Sequence, residues 1–91
     1  DGINKMVDHS CDADTEDQIR SVALSISGVL GIDDLKTRLF GSKLYVDLEI
    51  LADGELSLKK SHEIAEHVHT AIESNFPNCI HCMVHVNPAE K

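Results

Sequence analysis

The chain has 91 residues, a net charge of −8, 42% hydrophobic residues and 3% aromatic residues. This length suits one small domain with a single core. The acidic balance and the scarce aromatic side chains argue against nucleic acid as a partner, because such binders neutralise phosphates with Lys and Arg and stack bases on rings. No apolar run approaches the roughly 20 residues that cross a bilayer, so we expect no membrane insertion by this segment.

The cysteines and histidines indicate the redox setting of the protein and the class of ligand to consider. Three cysteines without framework spacing indicate a reduced, cytosolic setting. Six histidines beside sixteen carboxylates make divalent cations the first ligands to consider. No nucleophile–base pattern and no phosphate loop stands out, so the sequence does not predict an enzyme. Because the sequence begins with Asp1 rather than Met, we expect it to be part of a longer protein.

The first predicted element is a helix. Residues 1–14 are polar and acidic and are predicted to be a linker from a preceding domain, so that the folded domain occupies 15–91. Asp14 or Thr15 is the expected N-cap, and Gly28 the expected C-cap. The apolar positions follow helical spacing: Ile19, Val22, Ala23 and Ile26.

A hairpin is predicted next. Residues 32–40 and 43–51 both alternate with a period of two, and Gly41 lies at the joint. In the second strand, one set of alternating side chains is apolar and the other is mostly polar. That pattern indicates a sheet with one face in the core and one face toward water or a partner.

A long helix and a third strand complete the order. Ser57 is the predicted N-cap of the helix, which runs to about Asn75 and is stopped by Pro77. Its apolar stripe consists of Ile64, Ala65, Val68, Ala71, Ile72 and Phe76. In the third strand Ile80, Cys82, Val84 and Val86 alternate with His81, Met83, His85 and Asn87, and Pro88 ends it.

The element order helix–strand–strand–helix–strand predicts an α+β fold. The long helix allows a right-handed crossover, which makes strands two and three parallel and gives a mixed three-stranded sheet with both helices on one face. The other face would carry Asp47, Glu49, His81, Met83 and His85. We expect a partner to cover it, most simply a second copy of the chain.

The uncovered face is also the strongest candidate metal site. Glu49 and His85 occupy matching positions on neighbouring strands, where side chains lie about 5 Å apart and can reach one ion. Asp33, at the entry to strand one, and His62, near the start of helix two, would join from the sheet edge or across a dimer. The alternative is a polar, solvated sheet face with ordinary histidines.

Three other groups of ligand-type residues have less support. Cys79 and Cys82 form a Cys-x-x-Cys pair, but strand residues three apart point to opposite faces, so Cys82 is predicted in the core and Cys79 in the preceding loop. A run on helix two is better explained as a solvated face: Glu66, His67 and His69. Residues 8–12 combine Asp, His and Cys in the predicted linker, a combination that arises often by chance.

Four segments in order resemble a known family. Residues 28–38 (GVLGIDDLKTR), Gly41, residues 61–65 (SHEIA) and residues 84–88 (VHVNP) are similar to the cytosolic C-terminal domain of cation diffusion facilitator transporters. The resemblance covers roughly residues 7–88. It implies a metallochaperone-like, ferredoxin-like fold and a homodimer on the cytoplasmic face of a membrane. An upstream transmembrane domain would exchange a divalent cation for protons, and metal at the dimer interface would tighten the dimer and regulate transport.

The resemblance also implies a ligand set, carried over position by position. The family's metal positions fall on Asp33, Glu49, His62, His85 and Asn87. In zinc-binding members the first two are often His and the last is Asp, whereas only two imidazoles remain here. Asn87 has no charge and is a poor bridging ligand. The remaining oxygen donors suit Fe²⁺, Mn²⁺ or a weaker Zn²⁺ site.

Two alternatives remain beside a regulatory metal-sensing domain. One is a structural dimerisation module that needs no metal. The other is a free-standing soluble metal chaperone, which would need an exposed, mobile thiol pair; the strand position of Cys82 argues against it.

Overall fold

The computed structural model describes residues 11–89 and contains the predicted elements in the predicted order. These are α1 (Ala13–Leu24), β1 (Gly31–Phe40), β2 (Lys43–Ala52), α2 (Leu58–Asn75) and β3 (Cys79–Pro88). Among the described residues, no helix is long and apolar enough to cross a membrane.

The three strands form one mixed sheet in the order β1–β2–β3. β1 pairs with β2 antiparallel through the hairpin at Gly41, and β2 pairs with β3 parallel through the α2 crossover. Alternate β2 side chains are fully buried: Leu44, Val46, Leu48 and Ile50. They share one apolar cluster with residues from both helices, among them Ile19 of α1 and Val68 of α2. Both helices therefore cover the same face of the sheet, which confirms the α+β prediction.

The first helix differs from its prediction at both ends. Asp12, rather than Asp14 or Thr15, is the N-cap, because its carboxylate accepts a hydrogen bond of 2.8 Å from the backbone nitrogen of Thr15. The helix ends at Leu24, and Gly28 lies beyond it with φ +100°. The predicted N-cap of α2 is confirmed, since the Ser57 hydroxyl accepts from the Lys60 backbone nitrogen.

The segment just before α1 belongs to the folded domain. Cys11 is buried, and its backbone nitrogen and thiol donate to the Thr37 hydroxyl oxygen at 3.1 and 3.2 Å. Thr37 is only 4% exposed, and its hydroxyl in turn donates to Glu16 at 2.7 Å. Of the residues that we predicted to lie in the linker, Cys11 therefore packs with the sheet, Asp12 caps α1, and Ala13 and Asp14 begin that helix. Residues 1–10, including most of the candidate group at 8–12, lie outside the described residues.

Two one-residue irregularities change which way strand residues face. In β1 the register shifts between Ile32 and Asp34, which leaves Asp33 without a partner in the register. In β3, Ile80 is the extra residue, because Leu44 pairs with Cys79 while the next β2 residue pairs with His81. An inserted residue reverses the alternation of the residues before it.

The irregularity at Ile80 overturns three predictions. Ile80 was expected to face the core but is 54% exposed. Cys79 was expected in a loop but is the first residue of β3. Cys79 and Cys82 were expected on opposite faces, yet both pack against the apolar cluster, because the extra residue between them restores the same parity.

Candidate metal centre

The sheet face opposite the helices, here called the open face, carries charged and polar side chains from all three strands. Alternation with the buried residues and the strand register place the following residues on it: Asp34, Lys36 and Arg38 of β1, Tyr45, Asp47 and Glu49 of β2, and His81, Met83, His85 and Asn87 of β3. The predicted set on this face is therefore confirmed.

Three strands meet through one side chain at the end of the open face. The amide nitrogen of Asn87 donates to a carboxylate oxygen of Asp33 at 2.9 Å and to one of Glu49 at 3.0 Å. We call these three residues the Asn87 clamp. The irregularity at Asp33 contributes to this geometry, since it places two consecutive acidic residues beside Glu49. The neighbouring Asp34 side chain accepts instead from the Leu35 backbone nitrogen.

His85 lies beside the clamp in the strand register. It is the register partner of Glu49 in the parallel β2–β3 pair, where neighbouring strands lie about 4.8 Å apart. Four of the five predicted ligand positions therefore lie at the same end of the open face, and Asn87 joins two of the others by hydrogen bonds: Asp33, Glu49, His85 and Asn87.

His62 is placed differently. It lies on α2, on the helical side of the sheet, where its Nε2 is 3.6 Å from a carboxylate oxygen of Glu66. His69 makes a similar pair with Glu73 at 3.1 Å, as expected for a solvated helix face. Within residues 11–89, no three His, Cys, Asp or Glu side chains of one chain are arranged to hold a metal ion. The candidate centre is thus incomplete within the described residues of one chain.

The two thiols of β3 are partly buried against the apolar cluster. Burial, followed by the nearby Cys79 thiol, raises the pKa of Cys82 to about 12. Burial likewise raises the pKa of Cys79, whose thiol donates to the His81 backbone carbonyl at 3.2 Å. Both thiols are therefore protonated near neutral pH in the metal-free protein.

Sequence reasoning missed two hydrogen-bonded groups. The Asn87 clamp depends on the register across three strands and on the extra residue at Asp33, which no spacing rule exposes. The hydroxyl of Thr37 had a weak signal, because alternation in β1 already turns this polar residue toward the core.

Comparison with known proteins shows the family to which this chain belongs. The family described as "Cation efflux protein, cytoplasmic domain" matches residues 11–89. Metal tolerance protein C1 of Arabidopsis thaliana is 34% identical over 87 residues, covering 96% of this chain and 18% of the relative. The cation-efflux pump FieF of Shewanella oneidensis is 28% identical over 88 residues, covering 97% and 29%. The chain thus spans less than a third of the length of these relatives.

Solved structures of the same fold support this family assignment. A nickel form of a MamM CTD variant superposes with a TM-score of 0.84 at 25% identity, covering 87% of this chain and 100% of the other. A second MamM CTD variant gives a TM-score of 0.82 at 26% identity, covering 85% and 96%. The family match over all described residues and the shared fold agree with the resemblance that the sequence motifs indicate. The chain belongs to the cytoplasmic domains of cation efflux proteins, the cation diffusion facilitator transporters.

Proposed function

We propose that the chain is the metal-sensing dimerisation domain of a proton-coupled, divalent-cation efflux transporter, acting on the cytoplasmic face of the membrane. One observation carries the proposal: four predicted ligand positions, Asp33, Glu49, His85 and Asn87, lie at one end of a sheet face that no element within residues 11–89 covers. A second copy facing this surface would supply the missing ligands, and His62 is the candidate from the partner. The greater length of the relatives supports an upstream transmembrane domain.

The net negative charge of each copy makes the proposed dimer sensitive to a bound cation. Each copy has a net charge of −8, so two copies repel one another when they approach. A divalent ion bound from both sides replaces part of that repulsion with attraction. The ion shifts the population only by its preference for the closed dimer. A tenfold preference corresponds to about 1.4 kcal/mol, which is enough to tighten a mobile dimer and signal to an attached transport domain.

The donors favour a hard or borderline divalent cation. Two carboxylates, one imidazole and an amide oxygen suit Mn²⁺, Fe²⁺ or weakly held Zn²⁺, while soft ions prefer thiolates. A relative named as a manganese efflux system protein and a MamM CTD structure named as a nickel form support this class of ligand. The role is binding, and the proposal gives the chain no catalytic step.

The test compares two double variants by thermal unfolding with Mn²⁺ or Zn²⁺. Glu49→Ala with His85→Ala removes the centre, while Glu73→Ala with His69→Ala removes the same residue types from the α2 surface. A ligand at a hundredfold excess over its Kd stabilises the folded state by about 2.7 kcal/mol. The wild type and the α2 variant should keep the rise in melting temperature, and the centre variant should lose it. An equal rise in both variants would contradict the proposed centre.

A metal-independent dimerisation module is the second candidate, and the Asn87 clamp favours it. The clamp satisfies Asp33 and Glu49 without any ion, so the face can be ordered in the absence of metal. An unchanged melting temperature with every cation, together with a stable dimer, would support this function. The soluble chaperone is disfavoured, since it would need an exposed, mobile thiol pair, whereas Cys79 and Cys82 lie on β3 and pack against the apolar cluster.

A further inference from the structure

The amide of Asn87 has a fixed orientation. Its nitrogen carries two protons, and the two contacts, at 2.9 Å to Asp33 and 3.0 Å to Glu49, take one proton each. A flipped amide would direct its oxygen at two carboxylate oxygens, and this arrangement is repulsive. The donor therefore faces the carboxylates.

That geometry puts a positively polarised group between two anions, which is where a cation would be held. We infer that Asn87 acts as a built-in competitor of the metal: its amide protons hold Asp33 and Glu49 in the metal-free arrangement, and a cation must displace them. The inference rests on the proposed function, because it concerns the same centre, and it deepens it by naming the residue that limits metal affinity.

Displacement has a definite structural consequence. Hydrogen bonds to charged groups are stronger than neutral ones, so losing two of them opposes binding. After a half-turn of the amide, its oxygen rather than its nitrogen would face the cation. Metal binding therefore breaks the two hydrogen bonds by which Asn87 joins β3 to Asp33 of β1 and to Glu49 of β2. The centre responds only when the cation concentration is high enough to offset this loss.

Competition and ligation predict opposite effects of removing the side chain. If Asn87 competes, Asn87→Ala frees two adjacent carboxylates and increases cation affinity. If Asn87 contributes mainly as an oxygen ligand, the same change decreases affinity. The matched control is Asn75→Ala, because the Asn75 amide also donates a hydrogen bond, at 2.8 Å to the Ala71 carbonyl, but at the end of α2.

The experiment is calorimetric titration of Mn²⁺ and of Zn²⁺ into the wild type, Asn87→Ala and Asn75→Ala. We expect Asn87→Ala to bind about tenfold more tightly, equivalent to about 1.4 kcal/mol, and Asn75→Ala to match the wild type. Affinity that is unchanged or weaker in Asn87→Ala would overturn the inference while leaving the proposed metal centre intact. Absence of binding in all three proteins would overturn both.

A second readout uses the wild type and so does not depend on how the variant folds. The side-chain ¹H–¹⁵N signals of Asn87 and Asn75 are followed during the titration with Zn²⁺, which is diamagnetic and does not broaden them. Competition predicts that the Asn87 amide signals move in proportion to metal occupancy toward values typical of a free amide, while those of Asn75 stay in place. Asn87 amide signals that stay unchanged at full occupancy would overturn the inference.

Discussion

Replacing Thr37 with valine removes the hydroxyl that joins the start of the domain to the sheet. The hydroxyl accepts from the backbone nitrogen and the thiol of Cys11 and donates to Glu16 at 2.7 Å. Valine has nearly the same shape and suits a strand, so the change isolates the polar contacts. It leaves the Cys11 N–H without its partner and the Glu16 carboxylate without its donor.

The expected loss follows from those contacts. A hydrogen bond to a charged group contributes about 1.5–3 kcal/mol, and an orphaned buried donor costs about 1–3 kcal/mol. Because Glu16 is partly open to water and regains hydration, we take the lower part of both ranges. Thr37→Val should therefore lower the free energy of unfolding by about 2–3 kcal/mol.

Urea denaturation measures this loss directly. Thr70→Val, an exposed threonine on α2, is the matched control and should change stability by less than about 0.5 kcal/mol. Equal stability losses in the two variants would refute the reasoning, because they would mean that the buried hydroxyl contributes no more than a solvated one.

Two further predictions concern Gly28 and Cys82. A Cβ at Gly28, where φ is +100°, would lie 2.6 Å from the Cδ1 atom of Ile64, so Gly28→Ala should cost about 2 kcal/mol or more in urea denaturation. Gly41→Ala, with φ +61° and open space, should cost about half as much, and equal costs would contradict the steric argument. Because the folded protein keeps Cys82 protonated to a pKa of about 12 while the unfolded thiol titrates near 9, stability should fall as pH rises from 9 toward 12. Cys82→Ala should reduce this fall, and an identical pH profile would contradict the pKa shift.

The parts of the fold that follow from periodicity could be predicted. The alternation in β2 fixes which side chains enter the core, and the apolar stripe of α2 fixes the face that covers them. The length of α2 then fixes the parallel pairing of β2 and β3. These features depend on many residues at once, so no single residue can reverse them.

Features that depend on one residue could not be predicted. Extra residues at Asp33 and Ile80 reverse the facing of their neighbours, and only pairing with β2 reveals them. Asp12 and Asp14 are both suitable N-cap residues by type, and only the hydrogen bond from the Thr15 backbone nitrogen to the Asp12 carboxylate shows where the helix begins. The same distinction applies to the candidate centre. Alternation predicts that Glu49 lies beside His85, whereas the hydrogen bonds of the Asn87 clamp can be recognised only from the atomic positions.

We propose that a divalent cation draws two copies together through the open face. The most direct test is small-angle X-ray scattering of the wild-type chain during titration with Mn²⁺ and, separately, Zn²⁺. We expect a dimer whose radius of gyration decreases and then levels off once the centre is full. Metal binding that leaves the radius of gyration unchanged would contradict this proposal.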